Sequence, residues 1–184
     1  MRLSETTKQT RQNIIEAFWQ IYADKEIRKI TVRELMEKAG YHRSVFYFYY
    51  KDVYELLEQE KELIVAGVKK LLPGAYKVIF GSERGSAAED ELKKFFQQNA
   101  PKACILLGRH GDMDFQYRVR QMILDNLMNV LKADKDDVRV KLAAEFFVTG
   151  HMNAILYLYE HRQEVSLDDY WLLVRKIARD CFDV

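Results

Sequence analysis

Apolar residues recur three and four positions apart along most of this 184-residue chain. That spacing is the period of an α-helix with one buried face. The strict alternation of polar and apolar residues that is typical of a half-buried strand is missing from the sequence. Residues that interrupt helices are also rare, since the chain has eight Gly and two Pro. The sequence therefore predicts an all-α fold.

Nine helices follow from this periodicity and from the residues that begin and end helices. Three segments, beginning at Thr31, Ser86 and Ser166, place an acidic residue three positions after a hydroxyl residue, which is the pattern of a helix start. The predicted helices cover 8–24, 31–39, 42–49, 53–72, 86–98, a short sixth from 101, a seventh from 114, an eighth over 137–160 and a ninth over 166–180.

Glycine and proline set several of these boundaries. Gly40 is predicted to end the second helix, because a residue without a β-carbon can turn the chain sharply there. Pro73 and Gly74 are predicted to break the fourth helix, which leaves a loop over 76–85. Pro101 suits the first turn of the short sixth helix.

The second and third helices are short and are joined by a tight turn at Gly40 and Tyr41, which is the spacing of a helix-turn-helix. The first residues of a recognition helix meet base edges in the major groove, and an arginine there can pair with the N7 and O6 atoms of guanine. Side chains one turn later, and the start of the preceding helix, suit phosphate oxygens. The residues in these two groups are His42, Arg43 and Ser44 for bases, and Thr31, Tyr47, Tyr49 and Lys51 for phosphates.

The first 57 residues or so resemble the TetR family of bacterial transcriptional regulators. The resemblance rests on Ile30-Thr31-Val32-Arg33-Glu34-Leu35, Lys38-Ala39-Gly40, Phe46-Tyr47-Phe48-Tyr49-Tyr50-Lys51-Asp52 and Leu56-Leu57. Later segments are similar to one branch of the family's ligand domain, namely Gly108-Arg109-His110-Gly111-Asp112 before Phe115, and 146–157 followed by Ser166-Leu167-Asp168-Asp169.

The resemblance implies two domains, a helix-turn-helix DNA-binding domain of three helices over 1–52 and a helical ligand-binding and dimerisation bundle over 53–184. It implies phosphate contacts at Thr31, His42, Tyr47 and Tyr49, and base contacts at Arg33, Arg43 and Ser44, with Val45 and Phe48 against thymine methyl groups. Phe46 and Tyr50, one turn apart, are expected in the domain core. Val53 stands where the family usually has a phosphate-binding lysine, and Lys51 is the candidate replacement.

Several other classes of function find no support in the sequence. The 29 Lys and Arg against 28 Asp and Glu give a net charge of +1, so any nucleic-acid binding must be local. Cys104 and Cys181 match no metal or redox spacing, and the four histidines lack the spacing of a helical zinc site. Because no catalytic motif is present either, we expect no enzyme activity, no metal and no cofactor.

A cytoplasmic protein is expected. The N-terminal segment carries acidic residues and lacks the apolar core of a signal peptide. The longest uncharged stretch, 146–159, has 14 residues and is too short to span a bilayer.

The predicted eighth helix is apolar on nearly every side, which is typical of a helix that is buried on several sides. Gly150 and Ala154 would let a second helix approach closely. The sequence therefore predicts a homodimer, although a central helix in a monomeric bundle would have the same pattern. The predicted dimer interface consists of Phe147, Gly150, His151, Ala154 and Leu158.

A ligand pocket is predicted from a polar residue on an apolar stripe. Asn126 lies on the same face of the seventh helix as Met122, so it either bonds a neighbouring helix or orients a ligand. We expect a small, mostly hydrophobic effector in a pocket lined by Phe95, Met122, Asn126 and Tyr157.

Together these features predict a ligand-responsive repressor that binds double-stranded DNA at a palindromic operator as a homodimer. The alternative is a helical protein-interaction adaptor that uses its aromatic face without DNA. The sequence specifies neither the effector, nor the operator, nor whether binding represses or activates.

Overall fold

The structure is a computed structural model that describes residues 5–81, 86–108, 111–132 and 137–182. These residues form eight α-helices and one 3₁₀ turn, and they contain no strand. The helices are α1 (Glu5–Tyr22), α2 (Val32–Ala39), α3 (Arg43–Phe46), α4 (Val53–Phe80), α5 (Ala87–Leu107), α6 (Met113–Val130), α7 (Val138–Glu160) and α8 (Leu167–Phe182), and the 3₁₀ turn is Ile27–Lys29.

The chain forms two compact units. Among the described residues, the first comprises 5–63 with Gly111, and the second comprises those within 64–108 and 112–182. The division between Leu63 and Ile64 falls inside α4. The domain boundary predicted after residue 52 lies at the start of that helix and stays a prediction.

In the first unit, α1 packs against α2, and α2 packs against α3. Its core includes Phe18, Leu35 and Phe46, which are fully buried. Buried polar groups in this unit are paired, since Trp19 Nε1 donates a hydrogen bond of 3.0 Å to the Glu60 carboxylate. This packing holds α2 and α3 in place, because both helices are too short to be stable alone.

The second unit packs α5, α6, α7 and α8 around the C-terminal part of α4. Val78, Leu127 and Val148 are fully buried in its core. A charged side chain is buried with them. Arg175 of α8 donates one hydrogen bond of 2.8 Å to the Val78 carbonyl oxygen and pairs with Glu89 of α5 at 3.1 Å.

Nine helices are predicted, but the described residues form eight, because Pro101 does not interrupt its helix. Pro73 does not interrupt its helix either. α5 runs through Pro101, so the predicted fifth and sixth helices are one, and α4 runs through Pro73 as far as Phe80. The predicted loop is therefore helical over 76–80, while 82–85 lies outside the described residues.

Burial beyond each proline explains this difference. A proline inside a helix costs roughly 3 kcal/mol, whereas burying one large apolar side chain contributes roughly 1.5–3 kcal/mol. Tyr76, Val78 and Ile79 are all buried just beyond Pro73, and Leu106 is buried beyond Pro101. Both prolines are also exposed, so water can reach the carbonyl groups that lose a partner.

Candidate functional site

The turn between α2 and α3 is built on Gly40, as the sequence predicts. Gly40 has a φ of +78°, a left-handed conformation that favours glycine. The Tyr41 N–H donates a hydrogen bond of 3.0 Å to the Met36 carbonyl oxygen, which closes the end of α2. The turn therefore sets the direction in which α3 leaves α2.

Thr31 begins α2 by capping its first turn. Its hydroxyl accepts a hydrogen bond of 3.2 Å from the Glu34 N–H, as expected from the helix-start pattern. The Glu34 carboxylate forms an ion pair with Lys25. The side chain of Thr31 is exposed at this helix end, where backbone N–H groups suit an anion.

The aromatic run at 46–50 divides between the core and the surface. Phe46 and Tyr50 are buried, and their ring centroids lie 5.4 Å apart, so the prediction that these two rings face the core is confirmed. Tyr47 and Phe48 are exposed by 59% and 74%. The buried rings hold α3 against its unit and leave the other two on the surface.

α3 is one helical turn, shorter than the predicted helix over 42–49, and 47–49 form a turn. His42 caps it, because its Nδ1 accepts a hydrogen bond of 3.4 Å from the Ser44 N–H and lies 2.9 Å from the Ser44 hydroxyl. The His42 and Ser44 side chains therefore contact one another on the exposed side of α3.

Eight of the ten residues predicted to contact DNA are exposed, and two are partly buried. Tyr49 is partly buried and its hydroxyl donates a hydrogen bond of 3.1 Å to the Thr7 carbonyl oxygen, while Val45 is partly buried against its unit. The exposed residues are Thr31, Arg33, His42, Arg43, Ser44, Tyr47, Phe48 and Lys51.

The two candidate base-reading arginines differ in their surroundings. Arg33 Nε donates a hydrogen bond of 2.8 Å to the Glu37 carboxylate, one turn along α2. Within the described part of the chain, Arg43 has no hydrogen-bond or ion-pair partner. A ligand can therefore bind the Arg43 guanidinium without first displacing a carboxylate.

Positive charge is concentrated around this pair of helices. Residues 25–51 contain seven Lys and Arg against three Asp and Glu, although the whole chain has a net charge of only +1. This local excess of positive charge can attract a polyanion even though the whole chain is almost neutral.

Val53 is the first residue of α4, at the position where the resemblance implies a phosphate-binding lysine. Val53 is buried in the core of its unit, so a lysine there would bury a charge. Asp52 caps the helix, since its carboxylate accepts a hydrogen bond of 2.9 Å from the Glu55 N–H. Lys51 is exposed. Tyr54 is half exposed as well, and its hydroxyl is a candidate phosphate contact that was not predicted from the sequence.

The second unit contains a cavity of about 170 Å³ between its helices. Its lining is almost entirely apolar and includes no charged side chain. The polar groups at its wall belong to Asn99, Tyr76, Tyr170, Trp171 and His151. The cavity suits an uncharged molecule more than an ion.

Two of these polar groups are satisfied within the unit. The Tyr76 hydroxyl donates a hydrogen bond of 2.9 Å to the Ile123 carbonyl oxygen, and the Asn99 amide donates one of 2.9 Å to the Phe95 carbonyl oxygen. Burial raises the pKa of the Tyr76 hydroxyl and of the Tyr170 hydroxyl well above the usual range. Both phenols therefore stay neutral at ordinary pH.

The structure does not bring the four predicted pocket residues together. Phe95 lines the cavity, and its ring lies against Gly67, where a β-carbon would come within 2.3 Å of it. Met122 packs against the core of the unit, Asn126 is partly buried, and neither lines the cavity. Tyr157 is 63% exposed on the outer side of α7.

Most residues of the predicted dimer interface face their own unit. Phe147 and Leu158 are buried in their own unit, His151 lines its cavity, and Ala154 packs against its core. Only Gly150 is exposed. Periodicity could not separate these faces, because an apolar residue facing its own chain and one facing a partner look the same in the sequence.

Two further features concern metals and membranes. The described residues contain no group of three or more His, Cys, Asp or Glu side chains placed to hold a metal ion; His110 lies outside them, with Arg109. Nor does any described helix combine the length and the apolar character that crossing a membrane requires.

No protein-family model matches the chain, and no curated protein matches it at a significant level. Solved structures similar to it include two transcriptional regulators. A TetR-family transcriptional regulator from Streptomyces coelicolor has a TM-score of 0.63 and 15% identity, over 98% of this chain and 80% of that one. A TetR transcriptional regulator from Streptococcus agalactiae 2603V has a TM-score of 0.57 and 22% identity, over 94% of both chains. The chain therefore has the fold of TetR-family transcriptional regulators.

Proposed function

We propose that this chain is a TetR-family repressor, acting in the cytoplasm as a homodimer that binds a palindromic operator and leaves it when a small effector binds. The observation that carries the proposal is the exposed, unpaired Arg43 on α3, directly after the left-handed turn at Gly40. The likeness to two TetR-family structures and the basic segment 25–51 support it.

In this proposal α3 enters the major groove, which is wide enough for one helix. Arg43 donates two hydrogen bonds to a guanine, while Ser44 and Arg33 reach neighbouring bases. Arg33 must first leave the Glu37 carboxylate, and that exchange reduces its net contribution. Val45 and Phe48 contact thymine methyl groups.

The backbone contacts come from around the recognition helix. Thr31, His42, Tyr47 and Lys51 bind phosphate oxygens. Because the Tyr49 hydroxyl already donates to the Thr7 carbonyl oxygen, it contacts a phosphate as a second interaction. These contacts fix the position of the protein on the duplex and carry no sequence information themselves.

Dimerisation uses an exposed apolar surface on the last two helices, which pack against each other. On α7 this surface includes Leu142, Phe146 and Tyr157, each at least 63% exposed, with Gly150 between them. On α8 it includes Leu173 and Ile177. Side chains of this size are rarely exposed together unless another chain covers them. We call these five side chains and Gly150 the outer face.

The two recognition helices of such a dimer are related by a two-fold axis, so the operator they fit is palindromic. An effector in the cavity releases the operator only if it binds more tightly to the free arrangement of the dimer than to the DNA-bound one. When the operator overlaps a promoter, a dimer bound to it represses transcription.

The proposal is tested by electrophoretic shift of genomic DNA fragments with the full chain and with Arg43→Ala. We expect a subset of fragments to shift with the unmodified protein in the presence of excess nonspecific DNA, and Arg43→Ala to lose that selectivity. If no fragment is preferred, the exposed Tyr47 and Phe48 favour the protein-interaction adaptor instead.

A further inference from the structure

One residue that lines the cavity has a buried polar group without a partner. Trp171 of α8 is 6% exposed and lines the cavity, while its indole Nε1 is closed off from water and has no hydrogen-bond partner among the described residues. An indole N–H can only donate a hydrogen bond. Because unpaired buried donors are rare in folded proteins, this one calls for an acceptor.

The neighbouring ring does not supply that acceptor. His151 stands beside Trp171, with ring centroids 6.3 Å apart, but its Nδ1 lies 2.8 Å from the Tyr170 hydroxyl. Burial lowers the pKa of His151 to about 4, so the ring is uncharged near neutral pH. With no charged side chain in the lining, an ion that entered the cavity would lose its hydration without gaining a counter-charge.

The size of the cavity limits its ligand to a small molecule. A cavity of about 150 Å³ lined by apolar side chains holds benzene, and this one has about 170 Å³. Phe95 and Phe147 contribute flat aromatic surface to the wall. One ring with a short substituent fills this space.

We propose that the cavity binds an uncharged, mostly apolar molecule of about seven to ten non-hydrogen atoms with one acceptor oxygen, and that the Trp171 indole turns so that its Nε1 donates a hydrogen bond to this oxygen. That this molecule is the effector of a repressor rests on the proposed function. That the cavity binds such a molecule rests on Trp171 and the other lining residues.

Three probes, each of nine non-hydrogen atoms, test separately whether the ligand needs an acceptor oxygen and whether it must be uncharged. Acetophenone carries a carbonyl oxygen, α-methylstyrene replaces that oxygen with a methylene carbon, and benzoate carries a negative charge. Binding of each to the full chain is measured by titration calorimetry at pH 7. Because the ketone loses hydrogen bonds to water when it binds, the informative quantity is the ratio of the acetophenone and α-methylstyrene dissociation constants in different variants.

Trp171→Phe removes the donor and keeps an aromatic ring. We expect it to weaken acetophenone binding by about tenfold, the effect of leaving a buried carbonyl unpaired, and to leave α-methylstyrene within about twofold. Trp19→Phe is the matched control, because Trp19 is equally buried but does not line the cavity. It should leave the ratio unchanged, and circular dichroism checks that both variants fold.

The proposal is overturned if Trp171→Phe changes both neutral probes by the same factor, if benzoate binds as tightly as acetophenone, or if none of the probes binds at millimolar concentration. A ratio that shifts only in Trp171→Phe supports it. Since these titrations contain no DNA, a chain that binds the probes as expected but selects no DNA contradicts the proposed function and leaves this inference standing.

Discussion

Tyr170 and His151 are joined by a contact of 2.8 Å between the Tyr170 hydroxyl and His151 Nδ1, which links α8 to α7 at the cavity wall. The His151 ring also stacks on Phe147, with an angle of 8° between the ring planes. Because burial of the imidazole favours its neutral form, protonation of His151 and the folded state of the second unit oppose each other.

We expect the protein to lose stability in mild acid through His151. Burial lowers the pKa of this ring in the folded state from 6.5 to about 4. Below pH 6.5 the unfolded chain binds a proton that the folded chain does not, so the contribution of His151 is complete above that pH and is lost as pH falls towards 4. The loss amounts to roughly 1–3 kcal/mol of unfolding free energy.

Urea unfolding at pH 7.5 and at pH 5 measures this effect. The difference in unfolding free energy between the two pH values should shrink in His151→Gln and should persist in His42→Gln, which changes an exposed histidine. An unchanged pH difference in His151→Gln would show that the imidazole is not the group responsible.

The buried pair of Arg175 and Glu89 should be costly to break. Glu89→Ala leaves the Arg175 guanidinium buried without its carboxylate, and we expect a loss of about 3–5 kcal/mol in unfolding free energy. Glu5→Ala is the contrasting change, since Glu5 pairs with Lys8 at the surface, and exposed pairs contribute at most about 1 kcal/mol. Equal losses in the two variants, measured by urea unfolding, would contradict this account.

Dimerisation through the outer face is tested with two matched phenylalanines. Phe146 and Phe48 are 77% and 74% exposed, but only Phe146 lies on the outer face. We expect the unmodified protein to sediment at micromolar concentration with twice the 21.8 kDa mass of the chain. Phe146→Glu should sediment as a monomer, because a charge would be buried at the interface, whereas Phe48→Glu should remain dimeric. A monomeric unmodified protein would rule out a constitutive dimer.

Arg43 and Lys51 should affect DNA binding in different ways. Arg43→Ala removes a contact to a base and should cost roughly 1–3 kcal/mol on the preferred fragment, with little change on other DNA. Lys51→Ala removes a contact to phosphate, so it should weaken all sequences and reduce the salt dependence of binding by about one unit. Fluorescence anisotropy over a range of salt concentrations measures both. If Arg43→Ala weakened every sequence equally, its assigned role in reading a base would be wrong.

Local features of the sequence were enough to predict the helix-turn-helix. The cap at Thr31, the turn at Gly40 and the buried ring of Phe46 all depend on residues close together in the chain, and the structure has all three. The all-α class followed from periodicity in the same way. Interactions between residues within about ten positions of each other can therefore be predicted from the sequence.

Features that depend on distant residues were not predictable. Pro73 interrupts no helix because residues beyond it are buried against other helices, which a local rule does not consider. For the same reason, Met122 and Asn126 were predicted to line the cavity, whereas His151 and Trp171 are among the residues that line it. A histidine on an otherwise apolar helix was the available signal for the cavity, but the sequence could not say which way that side of α7 faces.

Selection from a library of duplexes with a randomised 40-base-pair region measures whether α3 of a two-fold symmetric dimer reads an operator. The full chain is used to select bound duplexes over several rounds, and the recovered DNA is sequenced. We expect an inverted repeat whose half-sites are centred one or more helical turns apart, at about 10 base pairs per turn. We also expect a guanine in each half-site that loses its enrichment with Arg43→Ala. Recovery of duplexes with no common sequence, or of a motif without two-fold symmetry, would contradict the proposed function.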